Sequence, residues 1–75
     1  MIEWQNHIVT DDKVLVGKPV IKGTRLSVEF IFERLASGWS EKEVLDNYPR
    51  LKQDDIKAVH AFTYECFKDG LRYRR

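Results

Sequence analysis

The spacing of hydrophobic positions changes once along this chain, near residue 26. Before that point the apolar residues come in short, β-leaning pieces, Ile8-Val9-Thr10, Val14-Leu15-Val16 and Val20-Ile21. They are separated by Asp11-Asp12, Gly17-Lys18-Pro19 and Lys22-Gly23, all turn-forming combinations. Runs this short predict one or two small hairpins. Pro19 has no N–H to give to a ladder, which places it at a strand start or an edge, and Gly23 supplies the permissive backbone where Lys22-Gly23 turns the chain.

After residue 26 the period becomes helical, and three starts each carry a hydrophobic staple, an apolar residue before the cap and another five residues later. Leu26 and Ile31 bracket Ser27, and Trp39 and Val44 bracket Ser40. Glu43 stands three residues after Ser40 and completes a capping box. Leu51 and Ile56 bracket Lys52, a poor cap, although Asp54 and Asp55 complement the helix dipole. The first helix is expected from about Val28 to Ser37, with Val28, Ile31, Phe32 and Leu35 on one face and Gly38 as its stop. The second presents Val44, Leu45 and Tyr48 and ends at Pro49, because the residue before a proline is pushed out of helical geometry. The third and longest carries a stripe of Ile56, Val59, Thr63, Cys66 and Phe67, with Phe62 at its margin and Gly70 as the expected end.

This pattern predicts a mainly α fold: a three-helix, helix-turn-helix-like bundle of homeodomain-like or winged-helix-like type, with a short N-terminal β arm or hairpins. One domain is expected over residues 1–75, divided into an arm (1–26), a three-helix body (27–70) and a basic tail (71–75). A chain of this size buries only about 60% of the surface its unfolded form exposes, so a homo-oligomer or a partner is expected to add stability.

Charge narrows the picture. A third of the residues are charged (33%), yet the net charge is only +1, so attraction to nucleic acid or acidic lipid must come from local patches. Cys66 has no partner for an internal disulfide and falls on the apolar stripe, which reads as a buried, inert thiol in a reducing compartment. No apolar run approaches the roughly 20 residues needed to span a bilayer, and Met1 to Asn6 lack the basic and apolar regions of a signal peptide. The expectation is a cytoplasmic protein with no membrane partner.

The candidate chemistry centres on Gly17-Lys18-Pro19-Val20-Ile21-Lys22-Gly23-Thr24-Arg25, where two glycines and a proline accompany Lys18, Lys22 and Arg25 without an acid. A phosphate-binding loop needs Gly-Lys followed by Ser or Thr, and here the order is Lys22-Gly23-Thr24, while Pro19 removes an amide from any cradle. Nucleotide binding is set aside on that mismatch. What is left is an architectural turn or a direct contact to phosphate through Lys18, Lys22 and Arg25, with the turn favoured because glycine and proline mark turns more often than sites.

His7, His60 and Cys66 show no zinc spacing, and no Ser or Cys sits beside a base, so neither a metal, a cofactor nor an enzymatic activity is expected. The second and third helices, joined by Tyr48-Pro49-Arg50-Leu51, have helix-turn-helix spacing, with Arg50, Lys52 and Lys57 as further phosphate candidates. Gln53, Asp54 and Asp55 occupy the first turn that would meet DNA, and the two carboxylates oppose it. In the tail, Arg72, Arg74 and Arg75 surround Tyr73 and form a candidate partner-binding segment, since a guanidinium fork suits carboxylates or phosphates.

The run Gly17 to Val28, with Gly38-Trp39-Ser40, Glu43-Val44-Leu45, Tyr48-Pro49-Arg50-Leu51 and Asp55-Ile56, resembles a family of small bacterial and archaeal proteins, the domain-of-unknown-function family numbered four hundred and thirty-three. The likeness covers roughly Ile8 to Phe67. It implies a helix-turn-helix-like fold and an antitoxin role similar to the virulence-associated B-type antitoxins, with a PIN-like ribonuclease toxin and operator DNA as partners. On that reading Arg72, Tyr73, Arg74 and Arg75 meet the toxin's acidic site. The alternative is a stand-alone helix-turn-helix regulator that uses Lys18, Lys22, Arg25, Arg50, Lys52 and Lys57 on DNA. One departure stands out: Lys52 replaces the usual Thr or Ser, removing a hydroxyl cap from the third helix.

Overall fold

The computed structural model describes residues 2–10 and 17–73, with side chains through residue 68. Val14-Leu15-Val16 lies outside the described residues. A 3₁₀ turn, Trp4–Asn6, leads into β1, Ile8–Val9, which pairs antiparallel with β2, Val20–Ile21, in the register Ile8 to Ile21 and Val9 to Val20. Three helices follow: α1, Val28–Ala36; α2, Glu41–Asn47; and α3, Gln53–Tyr73. The protein is therefore mainly helical, with a two-stranded antiparallel pair at its N-terminal side, as the change of period predicts.

The strand pair is short, yet both residues of β2 are buried. Its other edge is closed by the chain entering α1: Ile21 N–H donates to the Leu26 carbonyl (2.9 Å) and Val28 N–H to the Pro19 carbonyl (3.0 Å). The link between these two passes is a type II turn. Thr24 N–H donates to the Ile21 carbonyl (3.0 Å), and Gly23 holds φ +81° at the third position, which this turn requires and other residues resist. Thr24 Oγ1 fastens the turn by donating to the Ile21 carbonyl (2.8 Å) and accepting from Leu26 N–H (3.0 Å).

The helix ends follow the sequence signals closely. Ser27 Oγ accepts from Phe30 N–H at 2.9 Å to cap α1. Ser40 and Glu43 form both halves of the capping box on α2, at 3.1 and 2.7 Å. Between them Gly38 takes φ +104° while its N–H donates to the Leu35 carbonyl and that of Trp39 to the Arg34 carbonyl, the paired bonds of a Schellman stop. Lys52 cannot cap α3 with its side chain, but Asp55 supplies the reciprocal half of a capping box by accepting from Lys52 N–H at 2.9 Å.

The core gathers Ile8 and Ile21 from the strands, Val28 and Ile31 from α1, Val44 from α2, and Leu51, Ile56 and Val59 around the start of α3. Trp4 closes one side by meeting Phe62 edge to face, with ring centroids 4.8 Å apart. On the far side Phe30 packs edge to face on Tyr48 (5.5 Å), which stacks on Trp39 (6.4 Å).

Four expectations are corrected. Phe32 is 43% exposed, because Phe30 turns toward Tyr48 and draws the buried stripe of α1 to that side of Ile31. Cys66 is exposed and Phe67 is 65% exposed, since no described element lies opposite that part of α3. Gly70 does not stop α3, which continues to Tyr73. No helix among the described residues is long and apolar enough to cross a membrane.

Candidate functional site

Two turns meet at one corner of the molecule. The β2–α1 turn presents Lys22 and Arg25, and the α2–α3 turn presents Arg50 and Lys52, all four exposed. A long-range bond joins them: Arg50 Nη1 donates to the Gly23 carbonyl at 3.1 Å. That carbonyl is free to accept because the type II turn directs its own closing bond to Ile21.

Two depressions flank Arg50. One is lined by Asn6, His7, Lys22, Arg50, Lys52, Asp54 and Asp55. The other, between Thr24-Arg25-Leu26 and Asn47-Tyr48-Pro49-Arg50, has an apolar floor with Arg25 and Arg50 on its walls. Asp55 lines the first depression and is hydrogen-bonded through both carboxylate oxygens. Its Oδ1 accepts from His7 Nδ1 at 2.9 Å and its Oδ2 from Lys52 N–H at 2.9 Å, so both oxygens face donors. Asp54 remains exposed and faces the groove. The corner can receive a polyanion along its cationic rim, whereas Asp54 and Asp55 oppose insertion of the α3 start between phosphate strands.

Of the six residues read from sequence as phosphate candidates, the fold brings together Lys22, Arg25, Arg50 and Lys52. Lys18 points elsewhere, to Glu29 Oε1 at 2.9 Å, in a surface pair whose members are both largely exposed. Lys57 lines a different depression with Ile2, His60, Ala61 and Tyr64. Arg72 and Tyr73 belong to the last turn of α3, with side chains beyond those described, and Arg74 and Arg75 lie outside the described residues. Among the described residues no three His, Cys, Asp or Glu side chains stand close enough to hold a metal ion.

Sequence reading missed three arrangements. The His7–Asp55 bond spans 48 positions, for which no local signal exists. Glu41 accepts from Gln53 (3.3 Å) and lies 3.0 Å from His60 Nε2, tying the first turn of α2 to α3. The Arg34 guanidinium lies 4.5 Å from the Phe30 ring centre and 5.3 Å from that of Trp39; the Phe30–Arg34 spacing of four made the first contact readable, the second not.

Comparison with known proteins agrees with this architecture. The model of a family described as "Protein of unknown function (DUF433)" matches residues 8–63. The chain is similar to a DUF433 member protein from Anabaena variabilis ATCC 29413, whose crystal structure was determined at 2.00 Å resolution. The two share 29% identity and a TM-score of 0.80, over 91% of this chain and 67% of that one. No curated protein matches the chain. With more than half of its length matched by the family model, and the signature Gly17 to Arg25 forming the turn that builds the basic corner, this chain belongs to the DUF433 family.

Proposed function

We propose that this chain is the antitoxin of a toxin–antitoxin pair, contacting phosphates of operator DNA through the basic corner and holding a PIN-like ribonuclease with the end of α3. The role asks for no catalysis by the chain itself. The observation that carries it is the convergence of Lys22 and Arg25 from the β2–α1 turn with Arg50 and Lys52 from the α2–α3 turn, beside the start of α3, the helix whose N-terminal residues a helix-turn-helix protein brings to DNA. These cations contact phosphate rather than base edges, so they position the protein and make binding salt-dependent. The toxin contact is supported by the likeness to virulence-associated B-type antitoxins and by the tail residues Arg72, Tyr73, Arg74 and Arg75, whose guanidinium groups suit a carboxylate cluster.

Four phosphate contacts predict that the logarithm of the operator binding constant falls with the logarithm of salt concentration with a slope of about −3 to −4. Lys22→Ala and Arg50→Ala should each remove about one unit of that slope, while Lys57→Ala leaves it nearly unchanged. Absence of DNA retardation, with and without toxin, would remove the DNA contact from the proposal. For the toxin, deletion of residues 71–75 should abolish inhibition of the neighbouring ribonuclease; full inhibition by the truncated chain would exclude the tail.

The second reading, a stand-alone regulator, is favoured by one fact: the corner is complete within a single chain. Salt-dependent DNA binding by a chain with no acidic PIN-like neighbour in its operon would select it.

A further inference from the structure

The cleft on the Arg25 side of Arg50 has the walls of a preformed site. Both walls are closed turns: Thr24 N–H donates to the Ile21 carbonyl (3.0 Å) on one side, and Leu51 N–H to the Tyr48 carbonyl (2.9 Å) on the other. Pro49 fixes φ at the second position of the latter turn. The Arg50–Gly23 bond ties the two turns together. Tyr48 lines the cleft and is itself held, by its edge-to-face contact with Phe30 and its stack on Trp39. The space is about 330 Å³, near the lower end of the roughly 300–1,000 Å³ of ligand sites. Leu26, Tyr48 and Pro49 make it apolar, Arg25 and Arg50 stand on its walls, and no carboxylate among the described residues lines it.

We propose that this cleft takes one unstacked base of a single-stranded nucleic acid, its ring against Tyr48 and Pro49 and its flanking phosphates on Arg25 and Arg50. The proposal rests on the reading of the basic corner as a phosphate contact and names the nucleic acid that the corner prefers. An apolar slot walled by two guanidinium groups needs an occupant with a flat apolar body and negative charge beside it, which is the form of a nucleotide within a strand. Aromatic and basic side chains combined in this way bind single strands with little regard to sequence, since every base has a π-face. Arginine adds a planar fork that both stacks on rings and pairs with phosphate.

Charge beyond the cleft selects a strand over an acidic peptide. Lys22 and Lys52 continue the cationic row on the other side of Arg50, so the positive charge extends past the reach of one carboxylate-bearing side chain. A backbone with a phosphate at every nucleotide uses the whole row. The cleft in turn selects a single strand over a duplex. Bases of a duplex are paired and stacked, and filling the slot from one requires extruding a base at a cost in free energy. Asp54 and Asp55, which oppose a duplex at the α3 start, line the other depression and not the cleft.

Fluorescence anisotropy of the full chain with labelled strands of equal length tests this. Oligothymidylate should bind at least about fivefold more tightly than an abasic strand with the same number of phosphates, because stacking adds to the phosphate contacts. It should also bind more tightly than a duplex. Oligothymidylate should move the methyl resonances of Leu26 through the ring current of the base, and the abasic strand should not. Tyr48→Leu should erase the preference over the abasic strand and Tyr48→Phe should restore it, with circular dichroism showing both variants folded; if Tyr48→Leu fails to fold, the wild-type affinities and the Leu26 signals decide. Lys68→Gln, which removes an exposed charge on distal α3, should leave the preference unchanged. Oligouridylate run in parallel tells RNA from DNA, and binding of either sugar with the same preference supports the site. Equal binding of oligothymidylate and the abasic strand, or tighter binding of the duplex, would overturn the base site and leave the phosphate contacts standing. Binding to none of them would remove both. An acidic, aromatic peptide that moves the Leu26 signals where oligothymidylate does not would assign the cleft to a protein and overturn the proposal.

Discussion

Ile56→Ala is expected to lower the unfolding free energy by about 2–5 kcal/mol, the range for deleting most of a fully buried aliphatic side chain. For a 75-residue domain the total is about 4–11 kcal/mol, so this one change removes a large share of the stability. Ile56 is 0% exposed and belongs to the core cluster that also holds Ile8, Ile31 and Val44. It stands in the first turn of α3, where the strand arm, α1 and α2 all contribute to the same cluster. Refilling the cavity is difficult: Ala58 is too short, and Val59 is β-branched and restricted at χ1 within a helix. Urea unfolding followed by the fluorescence of Trp4 and Trp39 should show a lower midpoint with an unchanged slope. Heating should show a midpoint lower by at least about 10 °C, since each kcal/mol corresponds to about 4–8 °C in a domain of this size. A loss below about 1 kcal/mol would contradict the seating of the α3 first turn in the core.

Asp55→Ala is expected to cost about 2–3 kcal/mol, more than an ordinary surface substitution because one carboxylate holds two separate donors. Its Oδ2 caps the α3 start through Lys52 N–H, and its Oδ1 holds His7 at the entry to β1. Both partners are shielded, with side chains 14% exposed for Asp55 and 25% for His7, so water replaces the lost bonds poorly. The loss should not be uniform. His7 directly follows the 3₁₀ turn that carries Trp4 onto Phe62, so the Trp4 environment should loosen before that of Trp39. Asp55→Asn keeps one side-chain oxygen and should recover about half of the loss. Equal stability of Asp55→Ala and wild type, or a response confined to Trp39, would refute this account of the arm.

The same residue shows where sequence reading stopped. Asp55 is legible as a first-turn acid that complements a helix dipole, and the weakness of Lys52 as a cap is legible too. The reciprocal bond from Asp55 to Lys52 N–H lies within three residues and was in reach of the same reasoning. The bond to His7 was not, because it depends on how the arm crosses α3. The basic corner divides in the same way. Lys22, Arg25, Arg50 and Lys52 were readable as candidates one by one, but nothing in the spacing separates them from Lys18, which turns to Glu29, or Lys57, which lines another surface.

Hydrophobic pattern was a good guide to element type and a weaker one to burial. Phe32 and Phe67 both fall on stripes that the helical period marks as apolar, yet both are exposed, at 43% and 65%. Periodicity reports which side chains share a face. Whether that face is covered depends on what stands opposite: for α1 the packing of Phe30 on Tyr48, and for distal α3 no other described element of the chain.

The sequence by itself determined the local events: the type II turn at Gly23, the caps at Ser27 and Ser40, the stop at Gly38, and the break before Pro49. Each is decided by atoms within about four residues, through backbone torsions and short side-chain bonds. Only the tertiary structure decided that the signature turn and the α2–α3 turn share one corner, joined by Arg50 and Gly23. It likewise decided that Asp55 faces inward to His7, and that the apolar stripe of α3 outruns its own body. The first two outcomes depend on contacts between residues 27 and 48 positions apart, and the third on which elements stand opposite α3, none of which chain spacing records directly.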